Sequence, residues 1–162
     1  MNLYILRHAD ADKPDEEKYP DDNLRKLVKK GKNKTEKIAK FQKKRKVKVS
    51  LILTSQALLS LDAAKLIRKE LKLPKEQLVQ LDCLLPGGSN TALIAEIKEK
   101  YAVDSLLVVG HDPNLSLLIS QLVTGTPDLP IDLKKGGLCK LSVDELTDGK
   151  CATLELLMTP NF

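Results

Sequence analysis

Short apolar runs alternate with longer amphipathic stretches along this chain. Leu3 to Leu6, Val49 to Leu53 and Leu106 to Val109 are each four or five apolar-rich residues, the pattern of strands buried on both faces. Between them lie helix candidates. Lys32 to Lys44 carries Ile38, Ala39 and Phe41 on an otherwise basic surface, with Gly31 before it. Leu58 to Leu71 has an apolar face of Leu61, Ala64, Leu66 and Ile67, and Pro74 follows its end. Thr91 to Tyr101 sets Leu93, Ile94, Ile97 and Tyr101 at three- and four-residue steps, which is helical spacing. Asp112-Pro113 reads as an N-cap followed by Pro at the first helical position, opening a helix to about Val123. The order is β-α-β-α-β-α-β-α, closed by two strand candidates near Gly137–Val143 and Ala152–Met158. Such alternation predicts an α/β fold, a mostly parallel sheet with helices on both faces.

Composition narrows the class. With 162 residues, 42% apolar and 30% charged, the chain can bury a core and reads as one globular domain, 1–162. No linker or repeat divides it; the Gly87-Gly88 and Gly136-Gly137 turns are too short to be boundaries. Aromatic residues make up 3% and Trp is absent, so a stacking platform for single-stranded nucleic acid is missing. Cys83, Cys139 and Cys151 are far apart and odd in number, which reads as three reduced thiols and neither a disulfide set nor a metal site. No signal-peptide pattern opens the sequence and no apolar stretch nears the roughly 20 residues of a membrane span. A cytoplasmic, monomeric protein without membrane contact is the expectation.

Charge adds one local feature. Thirteen of the 27 Lys and Arg fall between Arg25 and Lys48, where Glu36 is the only acid. A solvated lysine-rich helix face accounts for this run, and charge without a recognition motif argues against a nucleic-acid partner. The same face, Lys43 and Lys44 included, is suited to steering an acidic phosphoprotein.

The chemistry sits at strand ends. The chain has two histidines. His8 follows the first strand in Leu6-Arg7-His8-Ala9-Asp10, and His111 follows a later one in Val108-Val109-Gly110-His111-Asp112-Pro113. Ligand sites of open parallel sheets lie outside the carboxyl ends of strands, so these groups can share one crevice. Gly110 would let the chain turn there. A neutral imidazole is a competent nucleophile toward phosphorus. Arg7 offers a planar fork for phosphate oxygens, and a second histidine, cationic beside a phosphate dianion, adds charge. Phosphoryl transfer with neither metal nor cofactor is the indicated chemistry.

Leu6-Arg7-His8-Ala9-Asp10-Ala11 resembles the Arg-His-Gly signature of the histidine phosphatase superfamily, in the form carried by SixA-type phosphohistidine phosphatases. Val109-Gly110-His111-Asp112-Pro113-Asn114-Leu115 resembles their second-histidine segment. Asp22 to Gly31, Leu51 to Ser55, Leu85-Pro86-Gly87-Gly88 and Lys134-Lys135-Gly136-Gly137-Leu138 match in the family's order and spacing, so the resemblance covers nearly the whole chain. It implies a phosphoglycerate-mutase-like, three-layer α/β fold with flavodoxin-like layering. It makes His8 the phosphorylated nucleophile and Arg7 and His111 phosphate ligands. The implied activity is hydrolysis of phosphohistidine on a partner protein.

Three departures bear on that activity. Where the family has Ser-Pro-x-x-Arg-Ala-x-x-Thr, this chain reads Ser55-Gln56-Ala57-Leu58-Leu59-Ser60-Leu61-Asp62-Ala63, so Leu59 stands in place of a phosphate-gripping Arg. Losing such a group costs about 10²–10³ in rate, by analogy with a single oxyanion donor. Arg68 lies nine residues along the same helix, roughly 13 Å away at about 1.5 Å per residue. Arg25 is therefore the candidate replacement, with Lys26 second. Ala9 replaces Gly, which matters where phosphate approaches closely. Finally, the position of the family's general-acid Glu is Cys83, leaving Asp10 and Asp82 as alternatives for the acid. A phosphoramidate substrate can take its proton from solvent.

The alternatives are a catalytically weakened phosphate- or phosphoprotein-binding domain of the same fold, and a small phosphomonoesterase acting on a small phosphorylated substrate.

Overall fold

The right-handed crossover rule dictates most of this architecture once the strand order is known. The computed structural model describes residues 1–162. Strands β1 (Asn2–Arg7), β2 (Leu51–Thr54), β3 (Leu78–Gln80), β4 (Ser105–Gly110), β5 (Leu138–Val143) and β6 (Ala152–Met158) form one sheet in the order β3-β2-β4-β1-β5-β6. All pairings among β3, β2, β4 and β1 are parallel; β5 runs antiparallel to both β1 and β6. The sheet is thus mixed and mostly parallel. Helices α1 (Lys29–Lys44), α2 (Leu58–Glu70), α3 (Asn90–Lys100) and α4 (Asn114–Thr124) connect the strands.

From β1 the chain steps outward to β2 and β3, then returns to β4 between β2 and β1. A reversal of direction under one handedness sends helices to opposite faces. The burial pattern follows. Leu3 and Ile5 of β1 and Leu106 and Val108 of β4 pack with Leu93, Ile97, Leu115 and Leu118 of α3 and α4. The alternate residues, Tyr4, Leu6, Leu107 and Val109, pack with Ile38, Ala39, Ala63 and Ile67 of α1 and α2. This is the period-two alternation of a sheet covered on both sides. Three layers result.

Most element boundaries agree with the sequence pattern to within three residues. Strand β3 is the exception: it is short and only partly buried, so no apolar run announces it. The fourth helix also differs in detail. Pro113 lies just before the helix in αR conformation and Asn114 is the first helical residue. Asp112 still serves the helix start, since its carboxylate accepts the Ser116 amide at 3.0 Å and the Ser116 hydroxyl at 2.8 Å. Cys139 is buried and its thiol is pushed up to about 12 by that burial; Cys83 and Cys151 are half-buried, and none is in a disulfide. No helix is long and apolar enough to cross a membrane.

Candidate active site

The connection leaving β1 runs to one face of the sheet and that leaving β4 runs to the other. A crevice opens between their carboxyl ends, the place where ligands sit in open α/β sheets. Arg7 pairs with Gly110 in the parallel register, and the His8 amide donates to the Gly110 carbonyl at 3.1 Å. The next side chains, His8 and His111, therefore emerge side by side. Their ring centroids are 5.1 Å apart. Gly110 is not a turn, contrary to expectation. It is the last residue of β4, and a Cβ there would come within 3.3 Å of the Leu115 side chain. Its bareness lets α4 close over the strand end. Ala9, fully buried with negative φ, needs no glycine.

His8 has its tautomer set by the backbone. Its Nδ1 lies 2.8 Å from the Ala9 carbonyl oxygen. A carbonyl only accepts, so Nδ1 carries the proton and Nε2 keeps its lone pair. The imidazole is held below its ordinary pKa, first by burial and then by the positive charges of Arg7, Arg25 and Lys135, against the Ala9 hydrogen bond. It is neutral at pH 7, the state in which an imidazole nitrogen can attack phosphorus.

His111 is 6% exposed. Its Nε2 sits 3.3 Å from Ser55 Oγ and 3.4 Å from Ser60 Oγ, two hydroxyls that are themselves 2.7 Å apart. Burial, then His8 and Arg25, hold its pKa down to about 4, with Asp22 opposing. Among the protein groups alone it is therefore neutral; the cationic state is expected only beside a phosphate dianion. A bound dianion is what shifts it toward the charged form.

Both imidazoles line a cavity of about 410 Å³ with Arg7, Arg25, Leu59 and Lys135. Arg7 donates to the Leu133 carbonyl at 2.9 Å, keeps a buried Nε without a partner, and forms no ion pair. Arg25 pairs with Asp22, Nε to Oδ1 3.1 Å, and donates to the Asp12 carbonyl. Lys26 is exposed and does not line the crevice. Leu59 is 3% exposed and packs with the α1–α2 face of the core while walling the cavity. Arg68 is committed elsewhere, donating to the Leu73 carbonyl at the end of α2.

Neither proposed acid reaches the cavity. Burial alone would raise the Asp10 pKa, but the hydrogen bond and charge of Lys34, 2.7 Å away, hold that carboxyl below its usual range. Asp82 accepts from the Gln56 amide on the outer surface. The carboxylates that do line the crevice are Asp12, Asp22 and Asp112, none of which the sequence reading named as an acid. Each is engaged: Asp12 by Lys18 and Tyr19, which hold it at about 2, Asp22 by Arg25, and Asp112 by Ser116. No trio of His, Cys, Asp or Glu side chains converges to hold a metal ion.

The backbone superposes on solved structures along its whole length. The protein histidine phosphatase SixA, solved with tungstate, is 26% identical, with 99% of this chain and 97% of that one covered at a TM-score of 0.83. The chain has the histidine phosphatase superfamily fold. The same fold is evident against the SixA structure from Agrobacterium tumefaciens, at 21% identity, TM-score 0.79 and coverage of 98% and 97%. Against the α-ribazole phosphatase of Shigella flexneri the identity is 16% and the TM-score 0.72, with 99% and 97% covered. An uncharacterized protein of Picosynechococcus sp. is 30% identical over 143 residues, 87% of this chain and 84% of its own. No protein-family model matches the sequence. The phosphoglycerate-mutase-like, three-layer fold is retained.

Proposed function

We propose that this protein is a phosphohistidine phosphatase that hydrolyses phosphate from a phosphorylated protein through a phosphohistidine on His8. The observation that carries the reading is the pairing of His8 with His111 at 5.1 Å, beside an Arg7 that lacks any carboxylate partner. An unpaired guanidinium in a crevice is matched by a tetrahedral oxyanion. The tungstate carried by the SixA structure is such an ion.

In the first step the His8 Nε2 lone pair forms a bond to phosphorus. The bond from phosphorus to the substrate imidazole nitrogen breaks, and its electron pair stays on that nitrogen, which takes a proton from solvent. Arg7 and Arg25 carry the charge on the equatorial oxygens, and His111 becomes a donor as the dianion draws a proton onto it. In the second step water attacks phosphorus, the bond to His8 breaks, and inorganic phosphate leaves.

The engaged carboxylates favour phosphohistidine over an alkyl phosphate. An alkoxide leaving group needs a positioned acid. Asp12, Asp22 and Asp112 are all occupied with other partners, whereas an imidazole leaving group collects its proton readily. The test is phosphate release from a phosphohistidine-bearing protein, compared with an aryl phosphate, for wild type and His8→Ala. Release from the phosphoprotein that vanishes in His8→Ala supports the reading. No release from wild type or from His8→Ala, with the phosphoprotein still bound, replaces it with a binding domain.

A further inference from the structure

A second cavity, larger than the crevice, is at the other end of the sheet. It holds about 680 Å³ and opens beside the amino ends of β1 and β4, under the last turn of α1. That volume is within the roughly 300–1,000 Å³ of small-molecule sites.

Its wall carries polar groups the fold leaves unused. Gln42 is 0% exposed on the core face of α1, yet neither its Oε1 nor its Nε2 has a partner. Thr35, two turns earlier on that face, meets its burial by donating to the Gly31 carbonyl at 2.8 Å. The Ser105 hydroxyl, opposite Asn2 in the β1–β4 register, is buried and unpartnered as well. A buried polar group without a hydrogen bond is costly, and a leucine at position 42 would simply have extended the apolar face. The amide turns freely about its last torsion, and it presents a donor beside an acceptor.

Around this floor stand two aromatic rings and a cationic rim. Tyr4 and Phe41 line the cavity, and the Arg45 guanidinium lies 5.4 Å from the Phe41 ring centre. Arg45, Lys46 and Lys48 form no ion pair. Asp104 is the one carboxylate in the lining. A flat ring with an amide-like edge, carrying phosphate, complements all three features. We propose that this amino-edge cavity binds a nucleotide, its base between Tyr4 and Phe41 over Gln42 and Ser105, its phosphates on Arg45, Lys46 and Lys48.

Calorimetric titration of the full chain with ADP, adenosine and inorganic pyrophosphate tests this. ADP is expected to bind one site, at least about tenfold tighter than either fragment. Gln42→Leu and the exposed Lys48→Glu should each weaken ADP about tenfold, and Arg7→Ala should leave it unchanged. Because position 48 is at the surface, its result stands even where Gln42→Leu perturbs folding. Pyrophosphate binding as tightly as ADP, no ADP binding at millimolar concentration, or binding lost in Arg7→Ala but kept in Lys48→Glu would each overturn the proposal.

Discussion

His8 and His111 are neighbours because Arg7 and Gly110 are paired across two parallel strands, which sets their rings 5.1 Å apart. His111 is held at about 4 among protein groups, and in the proposed mechanism a bound dianion draws a proton onto it. Tungstate affinity measured between pH 8 and pH 6 should therefore rise as pH falls, since the bound form of His111 has the higher pKa. The slope should disappear in His111→Gln. A pH-independent affinity in wild type would show that His111 does not charge.

The same shift affects folding. Unfolded His111 titrates near 6.5, and the folded group near 4, so between these values the unfolded chain binds more protons. Stability then rises with pH across that window. A shift of this size corresponds to on the order of 3 kcal/mol, fully lost once pH has fallen to about 4. Urea midpoints from pH 4.5 to pH 7 should climb in wild type and climb less in His111→Gln.

Arg25 stands in the cavity that Leu59 leaves without a second arginine from α2. Arg25→Ala should lower kcat/KM for phosphoprotein by about 10²–10³. Adding Leu59→Arg to that variant should recover part of the loss. A double variant no better than Arg25→Ala would show that the two positions do not serve the same charge.

Gly31 fixes α1 against the segment that carries His8. A Cβ at this position would fall 2.1 Å from the Asp10 carbonyl oxygen. Gly31→Ala should destabilise the protein by about 1–3 kcal/mol, in the manner of overpacking, and lower activity by moving the strand end. Chemical denaturation together with phosphate release checks both effects.

Lys72 ends α2 in the left-handed region, with φ 56. A glycine there avoids the Cβ penalty, so Lys72→Gly should raise stability by about 1 kcal/mol without altering turnover, the site being remote from the crevice. Thermal unfolding of the single variant measures it.

Which of these features were legible in the sequence follows from their physics. Strands β1, β2 and β4 are buried on both faces and so appear as apolar runs; β3 is partly exposed and three residues long, and left no such trace. His8, Arg7 and His111 stood out because strand ends collect chemistry. Lys135 and the three lining aspartates did not, because loop residues have no period and their convergence depends on tertiary packing. The adjacency of Asp112 to His111 was the available signal. The neutral state of His111 follows from burial, which depends on how the β2–α2 segment brings Ser55 and Ser60 against its Nε2.

The most direct test of the central claim is to mix the protein with a partner carrying ³²P-phosphohistidine, quench at alkaline pH within milliseconds, and map the label. Label on His8 that appears before phosphate release and is absent in His8→Ala is the predicted result. Phosphate released at the wild-type rate with no label ever found on His8 would contradict it.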